Sequence, residues 1–361
     1  MSLKITFQPY TLNFRFEAGT SRGILTEKAT YFIKVVDQNT PGIYGLGECG
    51  PLKKLSIDDV PDFGRHIQTL IQRIKGVEAP KSQAEVFEVV ESLVSSAHPS
   101  IRFGLEMALL DLVNGGRRLI FENDFYSGKP TPINGLIWMG DEQFMMSQIH
   151  DKISQNFDCV KIKIGAIDFD RECEILNYLR TKFSNKEIML RVDANGAFTP
   201  KEAMEKLVKL SEFQIHSIEQ PIKAGQKELM RALCKETPLD IALDEELIGI
   251  DKYDDKRELL EYVMPQYIIL KPTLVGGFKS CIDWIEIANE LEIGWWLTSA
   301  LESNIGLNAI CQFSEELSAK GHQGLGTGKL YHNNIDSPLT ISDGHIRYEA
   351  SIPWDLESLT F

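Results

Sequence analysis

The sequence predicts an α/β protein whose larger part is a (β/α)8-type barrel, and three observations lead to this prediction. From about residue 132 onward, eight short apolar runs rich in β-branched residues alternate with helical patterns. The first 125 residues differ, because apolar and polar residues alternate there as in half-buried strands, and helical patterns follow. Charged residues end successive strand candidates at intervals of about one βα unit.

The barrel prediction depends on the number of repeated units. The strand candidates occupy residues 132–139, 159–164, 188–193, 215–219, 240–245, 267–271, 294–299 and 322–326. Segments between them carry apolar residues at helical spacing on one side and charge on the other. Eight such units favour a closed barrel over an open doubly wound sheet. No GxGxxG motif opens the first unit, which disfavours a dinucleotide-binding fold.

Residues 1–125 predict an α+β unit placed before the barrel. The runs ITFQPYTLNFRF and ATYFIKVVD alternate like half-buried antiparallel strands, and GIYGLGE adds a third. Two or three helices follow, including SIRFGLEMALLDLVNG. The barrel is expected over residues 126–327, and residues 328–361 predict short extended pieces that pack back on the first unit.

Composition excludes several classes of protein. The net charge of −14 disfavours a broad nucleic-acid surface. No stretch approaches the roughly 18 apolar residues that a membrane helix needs. Six cysteines lie far apart without a CxxC pair, which is typical of reduced thiols. We therefore expect a cytoplasmic protein with a small-molecule partner and neither a nucleic acid nor a membrane, while the oligomeric state is left open.

The candidates for chemistry are the side chains that end the strands, because parallel barrels place their active sites there. Intervals of 30, 26, 25, 27 and 28 residues separate the members of the series Lys163, Asp193, Glu219, Asp244, Lys271 and Ser299. Residues separated by whole βα units converge on one mouth of the barrel. This spacing predicts one site built from several strands.

Three carboxylates in consecutive units predict a metal site. Asp193, Glu219 and Asp244 would repel one another unless a cation neutralised them. Oxygen ligands of this kind suit Mg²⁺, with Mn²⁺ as a substitute. The alternative for any one of them is a solvated strand end. Asn195 and Gln220 lie close behind two of the carboxylates and are expected to orient them or to bind bridging waters.

Lysines stand at two further strand ends. Lys161 and Lys163 are two residues apart and share one face of a strand, so repulsion and desolvation are expected to lower the pKa of each. A lysine lowered in this way can act as a general base. Alternatively, both lysines point outward and Ile162 points inward. Lys271, across the barrel, is expected to stabilise developing negative charge or to exchange protons. The alternative is that it pairs with a structural carboxylate.

A segment after the seventh strand, TSALESNIGLNAI, predicts contacts to substrate. Ser299 ends the strand, and Ser303 and Asn304 are candidate caps of the next helix, whose N-terminus would favour a carboxylate. Glu302 lies between them. We therefore name Ser299, Glu302, Ser303 and Asn304 as substrate-binding candidates.

Together, these motifs resemble the enolase superfamily, in its muconate-lactonizing subgroup. VKIKIG, RVDANGAF, IEQPI, ALDEEL, ILKPTLVGG and SALESNIGL carry the resemblance in this order. It implies a capping domain formed by the N-terminal region and the C-terminal tail. It also implies that the three carboxylates bind one Mg²⁺. Lys163 would then be both base and acid, with Lys161 lowering its pKa, and Lys271 would be the lysine on the opposite side of the site.

The resemblance also implies a reaction. Within the subgroup the motifs are most similar to dehydratases that remove water from a cyclohexadiene carboxylate bearing a succinyl chain, a step of menaquinone synthesis. An N-acylamino acid racemase or a dipeptide epimerase is the alternative, although Thr273 stands where the epimerases usually have an acidic residue. A non-catalytic barrel that binds a carboxylate is the alternative from another class.

Substrate specificity in this subgroup lies mainly in loops of the capping domain. The resemblance places these loops at residues 18–25, AGTSRGIL, and at residues 50–56, GPLKKLS. Arg22 is expected to close over the site and to contact an anionic or polar arm of the substrate. The alternative is a solvated surface arginine.

Overall fold

The N-terminal part of the computed structural model, which describes residues 3–20 and 23–361, begins with an antiparallel sheet. Its strands are β1 (Leu3–Thr20), β2 (Gly23–Asp37) and β3 (Tyr44–Cys49), in the order β1-β2-β3. Leu3 and Ile5 are buried while Lys4 between them is exposed. The alternation in the sequence therefore corresponds to a sheet with one face covered.

Three helices follow the sheet: α1 (Phe63–Arg73), α2 (Gln83–Leu93) and α3 (Pro99–Val113). Helix α3 is buried along nearly its whole length. Its contact with β3 requires Gly45 and Gly47, since a Cβ atom at these positions would lie 1.7 Å from the Ala108 carbonyl oxygen and 2.0 Å from that of Gly104. The glycines of GIYGLGE thus let a strand lie directly against a helix backbone.

A parallel sheet forms the larger part of the molecule. It is preceded by the two-residue β4 (Thr131–Pro132). Its seven strands lie side by side in chain order: β5 (Gly135–Ile137), β6 (Cys159–Lys163), β7 (Met189–Asp193), β8 (Ser217–Glu219), β9 (Ile241–Leu243), β10 (Tyr267–Leu270) and β11 (Gly294–Leu297). This order is the one that successive βα units produce.

Helices connect and follow these strands. They are α4 (Glu142–Ser154), α5 (Phe169–Lys182), α6 (Pro200–Ser211), α7 (Lys227–Glu236), α8 (Tyr253–Val263), α9 (Pro272–Val275), α10 (Gly277–Glu290) and α11 (Asn304–Glu316), with a 3₁₀ turn at Glu245–Leu247. Asp141, Asp168 and Ser303 cap α4, α5 and α11, each accepting a backbone N–H in the first turn. The α/β class is therefore as predicted.

The eighth predicted strand, residues 322–326, is not a regular strand, so that prediction is wrong in detail. Isolated bridges place Gln323 opposite Ile133 and Gly324 opposite Thr298. Four backbone hydrogen bonds of 2.8–3.0 Å join the segment to Pro132 and Asn134 on one side and to Leu297 and Ser299 on the other. A short glycine-containing segment supplies these separate pairs without a continuous ladder.

The C-terminal tail contains the hairpin β12 (Leu339–Ser342) and β13 (His345–Tyr348). It pairs with β4, so the first predicted strand is divided between the tail sheet and β5. The tail also contacts β1, because the Tyr10 hydroxyl donates to the Asn333 carbonyl at 2.9 Å and Arg15 Nε donates to the Tyr331 carbonyl at 3.0 Å. The tail therefore touches both the N-terminal sheet and the start of the parallel part.

Two further expectations concern the environment of the protein. Within residues 3–20 and 23–361, no helix combines the length and the apolar character needed to cross a membrane. All six cysteines are buried free thiols.

Candidate active site

The carboxyl ends of β6 to β10 bring charged side chains together. In the parallel register Lys163 lies opposite Asp193, and Asp193 lies opposite Glu219. Asp244 directly follows β9, and Lys271 directly follows β10. Asp193, Glu219 and Asp244 are only 1, 2 and 2% exposed. The structure therefore gathers the predicted strand-end residues into one buried cluster.

Lys163 is held at this cluster by two acceptors. Its Nζ donates to Asp193 Oδ2 at 2.9 Å and to Asn195 Oδ1 at 2.7 Å. Burial lowers the pKa of Lys163, and the neighbouring charge of Lys161 lowers it further, against the opposing effect of Asp193. A neutral amine is therefore easier to reach at Lys163 than at an ordinary lysine.

Lys161 behaves differently from the expectation that both lysines would have a lowered pKa. Its Nζ lies 2.5 Å from Glu219 Oε2 and 3.0 Å from Asp193 Oδ2. Burial acts to lower the pKa of Lys161, but these two carboxylates together raise it. That part of the prediction is wrong, because a strand pattern shows the repulsion between two lysines but not the acidic partners supplied by other strands.

Lys271 approaches from the other side of the carboxylates. It contacts Asp244 through a hydrogen bond to Oδ2, and its Nζ lies 3.5 Å from Glu219 Oε1. Burial opposes the charged form, yet Asp244 and Glu219 raise the pKa of Lys271. The two lysines therefore differ in the direction of their pKa shift, which is upward for Lys271 and downward for Lys163.

Asn195 and Gln220 both adopt left-handed backbone conformations, with φ of +44° and +40°. The Asn195 amide accepts from Lys163, and its backbone N–H donates to Asp193 Oδ1 at 3.0 Å. Gln220 Oε1 accepts the backbone N–H of Asp244 at 3.2 Å. Each residue therefore orients a neighbour of the cluster, in the way expected of residues that support a site.

The three carboxylates have the donor chemistry of a site for a divalent metal ion. Asp193, Glu219 and Asp244 offer only oxygen ligands, which suits a hard divalent cation. Burial and the nearby Asp193 raise the pKa of Glu219 to about 7, although Lys161 and Lys271 act to lower it. In the described part of the chain, no three acidic, histidine or cysteine side chains stand together as a ready-made metal cage. The donor set fits Mg²⁺, while in this structure lysine ammonium groups contact the same oxygens.

A cavity opens directly beside the cluster. Lys161, Lys163, Asp193, Asn195 and Lys271 form its charged wall. The opposite lining is largely apolar and comes from both the N-terminal part and the parallel strands: Leu25, Leu52, Leu136, Trp138, Ala300 and Leu301. Such a cavity, with an apolar body and convergent charged groups, is typical of a site for a small organic anion.

Sequence reasoning missed several residues of this cavity. Asn134 and Thr298 line it and are buried, and within the described residues neither Asn134 Oδ1 nor Thr298 Oγ1 has a hydrogen-bond partner. Trp138 lies at the end of the first strand run, with its ring 5.9 Å from Lys163 Nζ. Trp138 and Thr298 directly follow strands of the structure, as Asp244 and Lys271 do, but the predicted strands 132–139 and 294–299 extended past them. Asn134 lies before β5, where no rule points.

The substrate-binding candidates fall into two groups. Ser299 lines the cavity, and its hydroxyl donates to Glu302 Oε2 at 2.5 Å. Glu302, Ser303 and Asn304 are buried but are not part of the cavity lining. Ser303 caps α11, and the Asn304 amide donates to the Ile335 carbonyl at 2.7 Å. Arg22 lies outside the described residues.

A lysine beside oxygen ligands that suit Mg²⁺ is the combination that enzymes of the enolase superfamily use. Residues 145–351, more than half of the chain, match the family described as enolase C-terminal domain-like. The chain therefore belongs to the enolase superfamily.

Individual members of the superfamily are similar to this chain over nearly its whole length. The chain is 44% identical to o-succinylbenzoate synthase of Desulfotalea psychrophila over 364 residues, covering 95% of this chain and 98% of the relative. A crystal structure of MenC from Desulfotalea psychrophila matches with a TM-score of 0.87 and 40% identity, over 96% of this chain and all of that chain. Muconate lactonizing enzyme from Pseudomonas fluorescens shares the fold, with a TM-score of 0.84 and 20% identity over 99% and 97% of the two chains.

Proposed function

We propose that this chain catalyses the o-succinylbenzoate synthase reaction, the loss of water from a succinyl-substituted hydroxycyclohexadiene carboxylate. The enzyme is a lyase of the enolase superfamily. The observation that carries the proposal is the placement of Lys163 and Lys271 on opposite sides of buried carboxylates beside one cavity. The similarity to synthases over nearly the whole chain supports the same small-molecule carboxylate substrate.

Asp193, Glu219 and Asp244 are the residues proposed to hold Mg²⁺, with Mn²⁺ as a substitute. Their burial and their oxygen-only donor set support this assignment. Members of the superfamily combine a lysine or histidine base with Mg²⁺. When bound, the ion supplies positive charge that stabilises the anion formed beside the substrate carboxylate.

Lys163 is proposed as the group that moves the proton. Its lowered pKa favours a neutral amine, and Asp193 and Asn195 hold its Nζ in place. The amine takes the proton from the carbon next to the carboxylate. The resulting ammonium then gives that proton to the departing hydroxyl group, so that water leaves and the ring becomes aromatic. One group thus serves as base and then as acid.

Lys271 is proposed to stabilise the developing negative charge without exchanging a proton. Its raised pKa keeps it charged, and Asp244 holds it in position. A racemase or epimerase with two bases would need a neutral amine on this side as well. The different environments of the two lysines therefore favour dehydration over the two-base alternative.

Polar groups elsewhere in the cavity are proposed to receive the succinyl arm. Thr298 and Asn134 carry buried polar atoms that lack partners within the described residues, and Ser299 lies beside them. A buried polar atom without a partner is costly, so a substrate that supplies one is favoured. Arg22, outside the described residues, is proposed to close over this arm.

Three wider features are also proposed. Residues 322–326, bonded to both edges of the parallel sheet, act as the eighth element of a closed (β/α)8 barrel. Residues 1–125 and 328–361 form the capping domain on a barrel of residues 126–327, supported by the contacts of the tail with β1. The buried free thiols are consistent with the reducing cytoplasm.

The decisive experiment supplies the purified chain with the hydroxycyclohexadiene precursor and Mg²⁺, and follows o-succinylbenzoate by its absorbance and by chromatography. We expect metal-dependent formation of the aromatic product. Racemisation of an N-succinylamino acid without this dehydration would replace the proposal by the racemase alternative. Binding of carboxylates without turnover of either substrate would contradict both.

A further inference from the structure

Two buried carboxylates of the N-terminal part reach into the parallel part of the molecule. Glu48 lies in β3 and Glu106 in the middle of α3, and their exposed fractions are 0 and 2%. Neither lines the cavity beside the strand-end cluster. Each accepts hydrogen bonds from the first turn of a helix that follows a strand end of the candidate site.

Glu48 binds the N-terminus of α11. Both of its carboxylate oxygens accept the Ser303 backbone N–H, at 3.0 and 3.1 Å, and one accepts the Ser303 hydroxyl at 2.5 Å. The Gly306 N–H donates to the same carboxylate at 3.0 Å, and the Thr30 hydroxyl at 3.0 Å. A carboxylate placed there satisfies N–H groups that a helix leaves unpaired and is favoured by the helix dipole.

Glu106 binds the N-terminus of α10 in the same manner. Its Oε2 accepts the backbone N–H of Phe278. The approach requires glycine at position 277, which has φ of +96° and where a Cβ atom would lie 2.3 Å from Glu106 Oε2. The glycine pair of ILKPTLVGG therefore serves a contact with the N-terminal part of the chain.

Both helices are directly connected to the candidate site. Helix α10 follows Lys271 through the single turn of α9, and α11 follows Ser299 after a few residues. Glu302 joins the two loops, because it accepts from the Ser299 hydroxyl and from the hydroxyl of Thr273, two residues after Lys271. A shift of either helix N-terminus would thus be transmitted to the cavity wall.

We propose that Glu48 and Glu106 are positioning residues through which the N-terminal part of the chain holds Lys271 and Ser299 in place for the reaction. This inference rests on the proposed function for its kinetic consequence. A displacement of about 1 Å at a site can cost on the order of 10²-fold in rate. The N-terminal part would then contribute to proton transfer as well as to the lining of the cavity.

Asp58 offers a matched control. It is also buried, and it accepts the Ser100 backbone N–H at 3.0 Å and the Ser100 hydroxyl at 2.5 Å in the first turn of α3. This contact is of the same kind, but it stays within the N-terminal part. Loss of Asp58 should therefore affect stability without affecting the loops that carry Lys271 and Ser299.

The test compares Glu48→Ala, Glu106→Ala and Asp58→Ala well below their unfolding temperatures. We expect kcat to fall by about 10–100-fold in the two glutamate variants with a smaller change in KM, while Asp58→Ala keeps the kcat of the wild type. Glu106→Gln, which keeps the acceptor oxygen for the Phe278 N–H, should recover much of the loss. Glu48→Gln should recover less, because donors face both oxygens of Glu48 and the amide group of glutamine would be a further donor among them. These glutamine variants also serve if the alanine variants do not fold.

Hydrogen exchange measured by mass spectrometry gives a readout that does not require turnover. Peptides covering residues 271–279 and 299–307 should exchange faster in Glu106→Ala and Glu48→Ala, respectively, but not in Asp58→Ala. Unchanged exchange there, or a wild-type kcat in both glutamate variants, would overturn the inference. If the wild type itself formed no product, the proposed function would fail, and the exchange data would still decide whether these carboxylates hold the loops.

Discussion

Two groups of buried acidic side chains in this molecule have different kinds of hydrogen-bond partner. At the strand ends, Asp193 contacts the ammonium groups of Lys161 and Lys163. Glu219 contacts those of Lys161 and Lys271. Between the N-terminal and parallel parts, Glu48 and Glu106 instead accept backbone N–H groups of helix N-termini.

Lysine partners and backbone N–H partners suit a buried carboxylate to different tasks. A lysine ammonium lies on a flexible side chain and can move, lose its proton or be replaced by a metal ion. A helix N-terminus is part of the backbone and offers N–H groups in a fixed arrangement. The strand-end cluster is therefore suited to a changing charge during a reaction, and the interface carboxylates are suited to holding loops still.

The largest expected effect concerns the strand-end carboxylates. Asp244→Asn should remove the Mg²⁺ dependence and lower kcat by at least about 10³-fold, because a metal ion contributes several kcal/mol to charge stabilisation. Chelation of the wild type should abolish activity, and added Mg²⁺ should restore it. Asp240→Asn, an exposed carboxylate before the same strand, is the control. Full activity of chelated wild type would contradict the metal assignment.

The two lysines should differ in the kind of loss that they cause. Lys163→Ala should lower kcat by up to about 10⁴-fold because it removes both base and acid. Lys271→Ala should cost about 10²–10³-fold, as expected when one fixed charge is lost. Exchange of the proton next to the carboxylate with solvent deuterium, on an analogue that cannot eliminate, separates them. It should persist in Lys271→Ala and stop in Lys163→Ala. Exchange that persists in Lys163→Ala as well, from the opposite face through Lys271, would favour a two-base racemase.

A smaller effect is expected where a polar group faces the cavity without a protein partner. Thr298→Val keeps the shape but removes the hydroxyl, so KM should rise by about 2–10-fold, the value of one hydrogen bond. The unfolding temperature should not fall, because that hydroxyl has no partner within the described residues. Thr327→Val, which breaks a 2.9 Å bond to Ser299, should by contrast lower stability. A lower unfolding temperature of Thr298→Val with an unchanged KM would contradict the contact.

The smallest expected effect concerns Glu106, between the N-terminal and parallel parts, and the way in which the stability of the protein depends on pH. Burial raises the pKa of Glu106 from 4.5 to about 8, against the backbone N–H groups that lower it. The folded state thus binds this proton more tightly than the unfolded state. Its contribution to stability is complete below about pH 4.5 and is lost as the pH rises through 8. Urea unfolding should show a smaller fall from pH 6 to pH 9 in Glu106→Gln than in the wild type. Equal falls in stability in the variant and the wild type would indicate that Glu106 has the pKa of an ordinary carboxylate.

The order of the parallel strands and the convergence of Lys163, Asp193 and Glu219 could be predicted from the sequence. Both follow from local rules, because a βα unit has a nearly constant length and a strand directs alternate side chains to one face. The same rules fail at residues 322–326, where the backbone pairs on both sides without a regular ladder. Helical and strand periodicity contain no information on such isolated pairs.

Other features were decided only by the tertiary structure. The pKa of Lys161 is raised because Asp193 and Glu219, from other strands, lie at its ammonium group. Glu48 meets Ser303 across 255 residues of chain, and Glu106 meets Phe278 across 172. No spacing rule connects such distant positions. The sequence by itself therefore determined that the charged residues at the strand ends converge, whereas packing between distant segments determined the rest of the cavity lining, the pKa shift of each lysine and what holds it in place.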